Sequence, residues 1–595
     1  MTIRTLSELF ETVVRHDMPE CLLHKVGGRY TPISTRELAA RVRRLAKALE
    51  RAGVRPGDRV AQMAENGPHW ALVDFASLAL GAVHVPIYPT LLPEGAAYVA
   101  RDSGARILFV QGEERLAGML AVRDQMPSVE RVVVIGASGG GPGVEEFEAF
   151  LAGGEGVTDE EFSGWLRRAR PEDLATLIYT SGTTGDPKGV MLTHGNLTSN
   201  VLASAAALQL EPGWTALSFL PLAHSFERTV SYIYYYVGIT VAYAESVATV
   251  AQNLQEVRPH VFVSVPRVYE KVMARAFENA RAAGGLKYSI FRWAVKVGRA
   301  NLENRLMERP PGLKLRIADK LVFSKIRARL GGRFSLAASG GAPLARDVAE
   351  FFWGAGVRIF EGYGLTETSP VLTVNRQRRA RLGTVGPVVD GVEIRIAEDG
   401  EILARGPNIM KGYFGKPDAT AEVIDREGWF HTGDIGHLDP DGFLVITDRK
   451  KELIVNAYGK NIPPAPIENS LKASRWISQA VVVGDRRQFL CALIVPDFEA
   501  LAPWAAGHGI GGANAELAAH PEVRALIAAE VEKTNAHLAR YEQIRSWELL
   551  PAEFTLEGGE LTPTLKVKRR VIHVKYKAVL DRLYAEAEAG ANSGG

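Results

Sequence analysis

The chain has 595 residues, too many for one hydrophobic core, and its length predicts roughly three to four structural units. Its hydrophobic content of 46% and charged content of 23% are ordinary for a soluble globular protein. The net charge of +2 is small for this length, so no nucleic-acid partner is predicted. Two distant cysteines, Cys21 and Cys491, argue against a disulfide framework or a zinc site, and predict a reducing cytoplasmic location.

The N-terminal third shows the pattern of an α/β protein. Its first residues predict an amphipathic helix rather than a signal peptide, so no secretion is expected. Apolar positions three or four apart predict a helix over Thr35–Leu49, which Ser34 and Thr35 can cap. The segment from Arg59 to Tyr88 reads as strand, helix and strand, with Asn66 as the helix cap. This order predicts a parallel sheet.

The sequence pattern of the chain changes twice towards its C-terminus. Past Arg381, short β segments separated by Gly, Asp and Pro are typical of a small barrel or an antiparallel subdomain. A region with its own strands and helices begins at about Asp448, where we place a domain boundary.

Two further stretches stand out by composition, one by its apolar residues and the other by its positive charge. Val230–Ala244 is apolar and rich in tyrosine but shorter than the roughly twenty residues of a membrane-spanning helix, so we predict interior structure and a candidate wall for an apolar substrate. Residues 267–333 contain seventeen Lys and Arg against five Asp and Glu, a local excess of +12. Solvated helix faces and a surface for anionic lipid headgroups both fit this excess.

The most distinctive stretch is Thr180–Val190, which follows an apolar run. It contains three glycines, four hydroxyl side chains and one lysine. Glycines let a backbone approach a ligand closely, and hydroxyls, amides and a lysine suit a polyphosphate. A Walker A loop does not fit, because Pro187 and Gly189 stand where that pattern needs Gly and Ser or Thr.

Five further strings carry candidate functional side chains. A histidine ends Leu220–His224, glycines follow a strand in Ser339–Leu344, and a carboxylate follows a glycine turn in Gly428–Asp434. Glu361–Thr368 combines glycines with a tyrosine and an adjacent Thr-Glu pair, whose carboxylate can be an oxygen ligand for Mg²⁺. The fifth string, Glu560–Arg570, is strongly basic.

Together these strings resemble those of the adenylate-forming enzymes, the superfamily of acyl-CoA synthetases, adenylation domains and luciferases. The resemblance extends from about Leu6 to about Leu583, and the form Thr-Pro-Thr-Leu-Lys resembles long-chain fatty acyl-CoA synthetases. It implies an α/β fold with a large N-terminal domain, residues 1–447. This domain would have two parallel-type β-sheets flanked by helices and a small β-barrel subdomain at about 381–447. A small, mobile α+β C-terminal domain, residues 448–595, would follow, with a hinge near 448–452.

The resemblance also assigns roles to individual residues. Lys566 is the adenylation lysine and Lys451 the hinge residue, while His224 lies beside the acyl and phosphate pockets. Tyr363 stacks on adenine, and Asp434 and Arg449 contact the ribose. The catalytic candidates are Lys566, Glu367, Thr366, Lys188 and His224, and the metal ligands are Thr180 and Glu367. The nucleotide-binding candidates are Thr180, Ser181, Gly182, Thr183, Thr184, Gly185, Lys188, Gly341, Glu361, Gly362, Tyr363, Gly364, Thr366, Asp434, Arg449 and Lys566.

The implied activity is ATP- and Mg²⁺-dependent activation of a long-chain fatty acid to acyl-AMP, with release of pyrophosphate, followed by transfer to coenzyme A. A medium-chain or aryl acid, or a carrier protein as acceptor, remains an alternative within the family. A non-catalytic nucleotide- or lipid-binding module is the alternative outside the family. Such a module would keep the Thr180–Val190 stretch and Tyr363 but would not need Glu367 and Lys566, and this chain has both. A homodimer and peripheral contact with the inner face of the membrane are left open.

Overall fold

The computed structural model describes residues 2–138, 141, 143–180, 186–450, 452–458, 460–555, 557–562 and 567–592. Strands alternate with helices over most of the chain. The strands are Leu22–Val26 (β1), Arg29–Ile33 (β2), Arg59–Met63 (β3), Val83–Ile87 (β4), Ala105–Gln111 (β5), Arg131–Ile135 (β6), Val144–Glu146 (β7), Leu174–Thr180 (β8), Lys188–Thr193 (β9), Thr215–Ser218 (β10), Thr240–Tyr243 (β11), Val261–Ser264 (β12), Leu336–Ser339 (β13), Ile359–Gly364 (β14), Val371–Val374 (β15), Glu393–Ile396 (β16), Glu401–Arg405 (β17), Gly412–Tyr413 (β18), Phe430–Leu438 (β19), Leu444–Arg449 (β20), Ile454–Val455 (β21), Asn461–Ile462 (β22), Ile477–Val483 (β23), Leu490–Pro496 (β24) and Ile544–Leu549 (β25).

The helices cover both faces of the sheets. They are Leu6–His16 (α1), Thr35–Arg51 (α2), Pro68–Ala79 (α3), Pro93–Ser103 (α4), Glu113–Ala121 (α5), Phe147–Ala152 (α6), Asp159–Leu166 (α7), His194–Leu208 (α8), Ser225–Val237 (α9), Val250–Val257 (α10), Pro266–Ala282 (α11), Gly285–Ala300 (α12), Leu302–Leu306 (α13), Leu313–Ala318 (α14), Ser324–Arg329 (α15), Arg346–Gly354 (α16), Pro417–Ala421 (α17), Pro464–Lys472 (α18), Phe498–Gly507 (α19), Asn514–Ala519 (α20), Pro521–Asn535 (α21), Arg569–Lys575 (α22) and Lys577–Asn592 (α23). A π-helical turn, Asp319–Phe323, joins α14 to α15, and 3-10 turns form at Arg123–Gln125 and Thr366–Thr368.

Two eight-stranded sheets form the large N-terminal part. Sheet A has the order β15-β14-β13-β12-β10-β11-β1-β2, and sheet B has the order β18-β9-β8-β4-β3-β5-β6-β7. The inner pairs of both sheets are parallel, whereas β15 and β2 at the edges of sheet A and β9 and β18 in sheet B pair antiparallel. Central strands such as β4 and β13 are buried along their whole length, as parallel strands covered on both faces must be. The predicted parallel-type sheets are therefore confirmed.

Helix α9 lies in the interior and carries a buried polar network. Its Arg228 is fully buried and pairs with the carboxylate of Asp74 on α3, and the Tyr232 hydroxyl donates to the same carboxylate over 2.6 Å. Arg228 also donates to the hydroxyl of Thr176 on β8 over 2.6 Å. The stretch Val230–Ala244 forms most of α9 together with β11, so its predicted interior position is confirmed.

The cap predicted at Asn66 is wrong. Gly67 occupies the N-cap position of α3, without a side-chain hydrogen bond. The Asn66 side chain instead donates to the Leu220 carbonyl over 2.7 Å and accepts from the Leu222 amide over 3.0 Å. Asn66 thus joins the end of β3 to the loop that precedes α9. Ser34, by contrast, caps α2 as predicted, with its hydroxyl accepting from the Glu37 amide.

The remaining strands form smaller units. The β-rich subdomain is a four-stranded antiparallel sheet of order β16-β17-β19-β20. After it, β23, β24 and β25 form a three-stranded sheet, with α18 packed against β23 and α23 against β25. The apolar clusters of this last region contain only residues beyond 453, so it has hydrophobic cores of its own. The domain boundary at 448 and the hinge near 448–452 stay predictions.

Candidate active site

Three of the candidate strings lie at one edge of sheet A. Strands β10, β12, β13 and β14 are parallel neighbours, so their carboxyl ends meet at the same edge, where ligands bind in open α/β sheets. The loop to His224 follows β10, the string beginning at Ser339 follows β13, and Glu361–Thr366 covers the end of β14 and the turn after it.

Glycines in these strings are required by close contacts. A Cβ atom on Gly340 would lie 2.8 Å from the ring of Phe226, and Gly341 has a φ of +78°, a conformation that favours glycine. A Cβ on Gly364 would lie 1.6 Å from the Pro370 carbonyl oxygen, so no side chain fits there. Gly362 is less crowded, with its nearest neighbours at 3.4 Å. Gly340 and Gly364 are therefore required by internal packing, and Gly341 by its backbone conformation.

His224 and Thr366 meet at the N-terminus of α9. His224 is the N-cap residue, and its Nδ1 accepts from the Phe226 amide over 3.0 Å. The hydroxyl of Ser225, the first helical residue, lies 3.0 Å from the hydroxyl of Thr366. The positive end of a 13-residue helix thus faces the turn that contains Thr366, an arrangement that favours a bound anion.

Lys188 and Glu367 are brought together by a residue that the sequence did not identify, Tyr413. The Tyr413 hydroxyl donates to Glu367 Oε1 over 2.9 Å, and Lys188 Nζ lies 5.0 Å from the centroid of the Tyr413 ring. Pairing of β18 with β9 places Tyr413 opposite Val190, two residues beyond Lys188. Tyr413 belongs to a two-residue strand without a recognisable motif, so only its place next to Glu367 and Lys188 marks it as functional.

Tyr363, Asp434 and Arg449 form a second group. The Tyr363 hydroxyl donates to Asp434 Oδ2 over 2.6 Å, and Arg449 Nε donates to Asp434 Oδ1 over 3.0 Å. Asp434 is buried in β19, opposite Arg449 in β20. Each carboxylate oxygen of Asp434 thus accepts one hydrogen bond and has a further lone pair with which it can accept another.

Glu361 is a buried carboxylic acid in β14. It is only 8% exposed, and burial raises the pKa of its carboxyl from 4.5 to about 7, although the backbone amides of Leu344 and Gly383 favour the charged form. The folded protein therefore binds this proton between pH 4.5 and 7 where the unfolded chain has released it. Folding stability from this group is lost as the pH rises through that window.

Substitution of Glu361 by glutamine is expected to remove this dependence. Relative to that of the unsubstituted protein, the free energy of unfolding of the Glu361→Gln variant should increase by up to about 3 kcal/mol between pH 5 and pH 8, because glutamine has no charge to bury. The thermal unfolding midpoints of both proteins at the two pH values measure the effect. The exposed Glu422→Gln variant is the control, and a Glu361→Gln difference that is equal at both pH values would contradict the assignment.

The donor set at the edge restricts the kind of metal site. Within the described part of the chain, no three His, Cys, Asp or Glu side chains cluster closely enough to hold a metal ion by themselves. Glu367 offers one carboxylate, and the hydroxyl residue Thr180 ends β8 opposite Lys188. A single carboxylate fits Mg²⁺ held together with substrate phosphates, which is the usual manner in enzymes that bind nucleotides.

Several candidates cannot be placed. Ser181, Gly182, Thr183, Thr184 and Gly185, the hinge candidate Lys451 and the adenylation candidate Lys566 lie outside the described residues. The antiparallel pair of Thr180 and Lys188 shows that the distinctive stretch Thr180–Val190 connects β8 to β9.

The family follows from comparison with known proteins. Residues 10–414 match the model of the AMP-binding enzymes, and residues 451–588 match that of the AMP-binding enzyme C-terminal domain. The chain belongs to the AMP-binding enzyme family, which confirms the predicted resemblance and the adenylate-forming fold.

Individual relatives are similar over nearly the whole chain. The long-chain-fatty-acid–CoA ligase FadD15 of Mycobacterium bovis is 40% identical over 578 residues, which cover 96% of this chain and 95% of the relative. The peroxisomal long chain acyl-CoA synthetase 7 of Arabidopsis thaliana is 35% identical, with 94% and 83% covered. Among solved structures, the anthranilate CoA ligase AuaEII in complex with anthranoyl-AMP aligns with a TM-score of 0.71 at 20% identity, over 96% of this chain and 98% of that one.

Proposed function

We propose that the chain is a long-chain fatty acid–CoA ligase that forms AMP. The observation that carries this proposal is the pair of side-chain groups that form around Glu367 and around Tyr363. Lys188, Tyr413 and Glu367 offer positive charge and a metal-binding carboxylate for a polyphosphate, while Asp434 offers a carboxylate for ribose hydroxyls. Relatives named as long-chain ligases at 35–40% identity support the substrate class.

The first half-reaction joins the fatty carboxylate to the α-phosphate of ATP. A fatty acid has a pKa near that of Glu, about 4.3, so it is ionised at neutral pH and needs no general base. An anion must then attack an anionic phosphate, which requires neutralisation of charge and in-line placement. Lys188 contacts the β- and γ-phosphates, and Thr366, the α9 N-terminus with His224 and Lys566 act at the α-phosphate. The bond between the α- and β-phosphates breaks and pyrophosphate leaves.

Glu367 and Thr180 are the residues that would hold Mg²⁺. When bound, this ion supplies electrostatic stabilisation of the charge that develops on the phosphate oxygens. The Tyr413 hydroxyl positions the Glu367 carboxylate through their 2.9 Å hydrogen bond. Asp434 and Arg449 hold the ribose, and the Tyr363 ring stacks on adenine.

The second half-reaction transfers the acyl group to coenzyme A. The CoA sulfur attacks the acyl carbonyl, a C–S bond forms, the bond from the acyl carbon to the phosphate oxygen breaks, and AMP leaves with the electron pair. The thiol proton passes to solvent, since a thiol with a pKa near 8.5 is partly ionised at neutral pH. We infer that residues 448–595 rotate about Lys451 between the two half-reactions, because Lys566 has to reach the site for the first.

Exchange of labelled pyrophosphate into ATP tests the first half-reaction. We expect exchange that depends on a fatty acid and increases with chain length from acetate to oleate, followed by formation of the CoA ester. Benzoate and cinnamate serve as aryl controls. Exchange without thioester formation from CoA would indicate a carrier-protein acceptor, strongest exchange with an aryl or medium-chain acid would replace the substrate, and no exchange with any acid would indicate a binding module.

A further inference from the structure

The charge excess of residues 267–333 lies on a group of helices on the surface. This segment comprises α11 to α15 and the π-helical turn Asp319–Phe323, and all of it is described. Helix α12 packs against α11, α14 and α16 and against the π-helical turn. The inner sides of these helices contribute Phe291, Leu315 and Phe323 to an apolar core beside sheet A.

An apolar stripe runs along the outer side of the continuous helix from α14 to α15. Leu313 is 75% exposed, and Ile317 and Leu321 are 43% and 44% exposed. A spacing of four residues puts all three on one face of a helix. Leu315 and Val322 point the other way and are buried. The helix is therefore apolar on both sides, although only its inner side packs against the protein.

Helix α12 adds two more exposed apolar side chains. Leu286 is 77% exposed and Trp293 is 38% exposed. Because α12 packs against α14, the outer sides of the two helices lie next to each other. We call this surface the basic apolar face; its apolar members are Leu286, Trp293, Leu313, Ile317 and Leu321, and its basic members are Lys296, Lys314 and Lys320.

The charges of the basic members of the face are not balanced by ion pairs with described residues. Lys296, Lys314 and Lys320 are exposed, and none of them forms an ion pair with a described residue. The acidic residue nearest in sequence, Asp319, pairs instead with Arg305 and Arg327. The face thus offers free positive charge immediately beside exposed leucine and tryptophan.

We propose that the basic apolar face docks on an anionic lipid bilayer. Lysines attract anionic headgroups, while leucine and tryptophan side chains insert at the boundary between headgroups and acyl chains, the mode of interfacial amphipathic helices. No helix in the described ranges is long and apolar enough to cross a bilayer, so the contact is peripheral. A second copy of the chain is a poorer partner, because a symmetric interface would bring like charges together. The proposal does not depend on which acid the enzyme activates.

Co-sedimentation with vesicles tests the electrostatic part. The protein should bind vesicles of phosphatidylcholine mixed with phosphatidylglycerol, bind vesicles of phosphatidylcholine alone weakly, and be released by salt. Each basic side chain near an anionic surface changes partitioning about fivefold, so the triple variant Lys296→Gln, Lys314→Gln, Lys320→Gln should bind on the order of one hundredfold more weakly.

A control variant with the same loss of charge separates a local effect from net charge. Arg29, Arg167 and Arg540 are also exposed, and all three lie outside residues 267–333. Their triple substitution by glutamine should leave binding to the mixed vesicles close to that of the unsubstituted protein. Equal losses in the two triple variants would overturn the proposal, as would binding that does not distinguish the two kinds of vesicle.

Serine substitutions test insertion of the apolar stripe. The Leu313→Ser, Ile317→Ser double variant should keep the unfolding temperature, since both side chains are exposed, but lose most of its binding to mixed vesicles. Val574→Ser, at a position that is 73% exposed in α22, is the control. Unchanged binding of the double variant would contradict insertion. A change from dimer to monomer in sedimentation velocity would show that the face is an interface between subunits instead.

Discussion

Substitution of Glu367 by glutamine is expected to lower the rate of acyl-adenylate formation by a factor on the order of 10² to 10³. Glutamine keeps the size of the side chain but removes the charge with which we propose that Glu367 holds Mg²⁺. The Tyr413 hydroxyl can still donate to the amide oxygen of glutamine, so the local packing should persist. The concentration of Mg²⁺ needed for half-maximal pyrophosphate exchange should rise with the loss of rate.

Two further variants separate the metal-binding charge from its support. Glu422→Gln removes an equal charge from an exposed position and should leave pyrophosphate exchange unchanged. Tyr413→Phe removes the 2.9 Å hydrogen bond to Glu367 but no charge, and should slow exchange by about tenfold or less. A Mg²⁺ requirement that is the same in Glu367→Gln as in the unsubstituted enzyme would exclude Glu367 as a metal ligand.

Substitution of Lys566 by alanine is expected to separate the two half-reactions. A lysine ammonium placed between the fatty carboxylate and the α-phosphate stabilises the charge of the first transition state, and its loss should slow adenylation by a factor on the order of 10² or more. The thioester-forming step begins from a mixed anhydride and needs no such charge. Formation of acyl-CoA from supplied acyl-adenylate should therefore stay close to the unsubstituted rate.

The neighbouring lysine supplies a control for this assignment. Lys568 is the N-cap residue of α22, and its backbone amide donates to the Glu560 carbonyl over 2.7 Å. Lys568→Ala retains this backbone contact and should leave both half-reactions close to normal. If Lys568→Ala rather than Lys566→Ala suppressed adenylation, the alignment of the basic string would be off by two residues, and equal losses in both half-reactions would remove the proposed role of Lys566.

Local signals predicted much of the fold. The periodicity of Thr35–Leu49 identified α2 and its Ser34 cap, and the strand–helix–strand pattern identified β3, α3 and β4. Such features depend on residues that are close in sequence, where capping and side-chain periodicity have direct physical causes. The prediction that Asn66 caps α3 was wrong because the Asn66 side-chain amide donates instead to the carbonyl of Leu220, 154 residues away in the sequence.

Contacts between distant segments could not be predicted. Tyr413 and Glu367 are 46 residues apart, Tyr363 and Asp434 are 71 apart, and the buried pair of Asp74 and Arg228 is 154 apart. Sequence motifs identified Glu367, Tyr363 and Asp434. Tyr413 could not be identified in this way, because the pairing of β18 with β9 that places it beside Glu367 depends on sheet topology. The burial that raises the pKa of Glu361 also arises only in the folded protein, where the segments that contain Leu344 and Gly383 contact this carboxyl group.

The bond from Arg449 to Asp434 has a thermodynamic consequence. One carboxylate accepts hydrogen bonds from Tyr363, on sheet A, and from Arg449, which lies within the predicted hinge near 448–452. If rotation of the C-terminal region changes this contact, it changes the affinity for the ribose by some factor. Reciprocity then requires that bound nucleotide shift the equilibrium between the two orientations by the same factor. Loss of AMP would thereby change the balance between the two orientations before the next ATP binds.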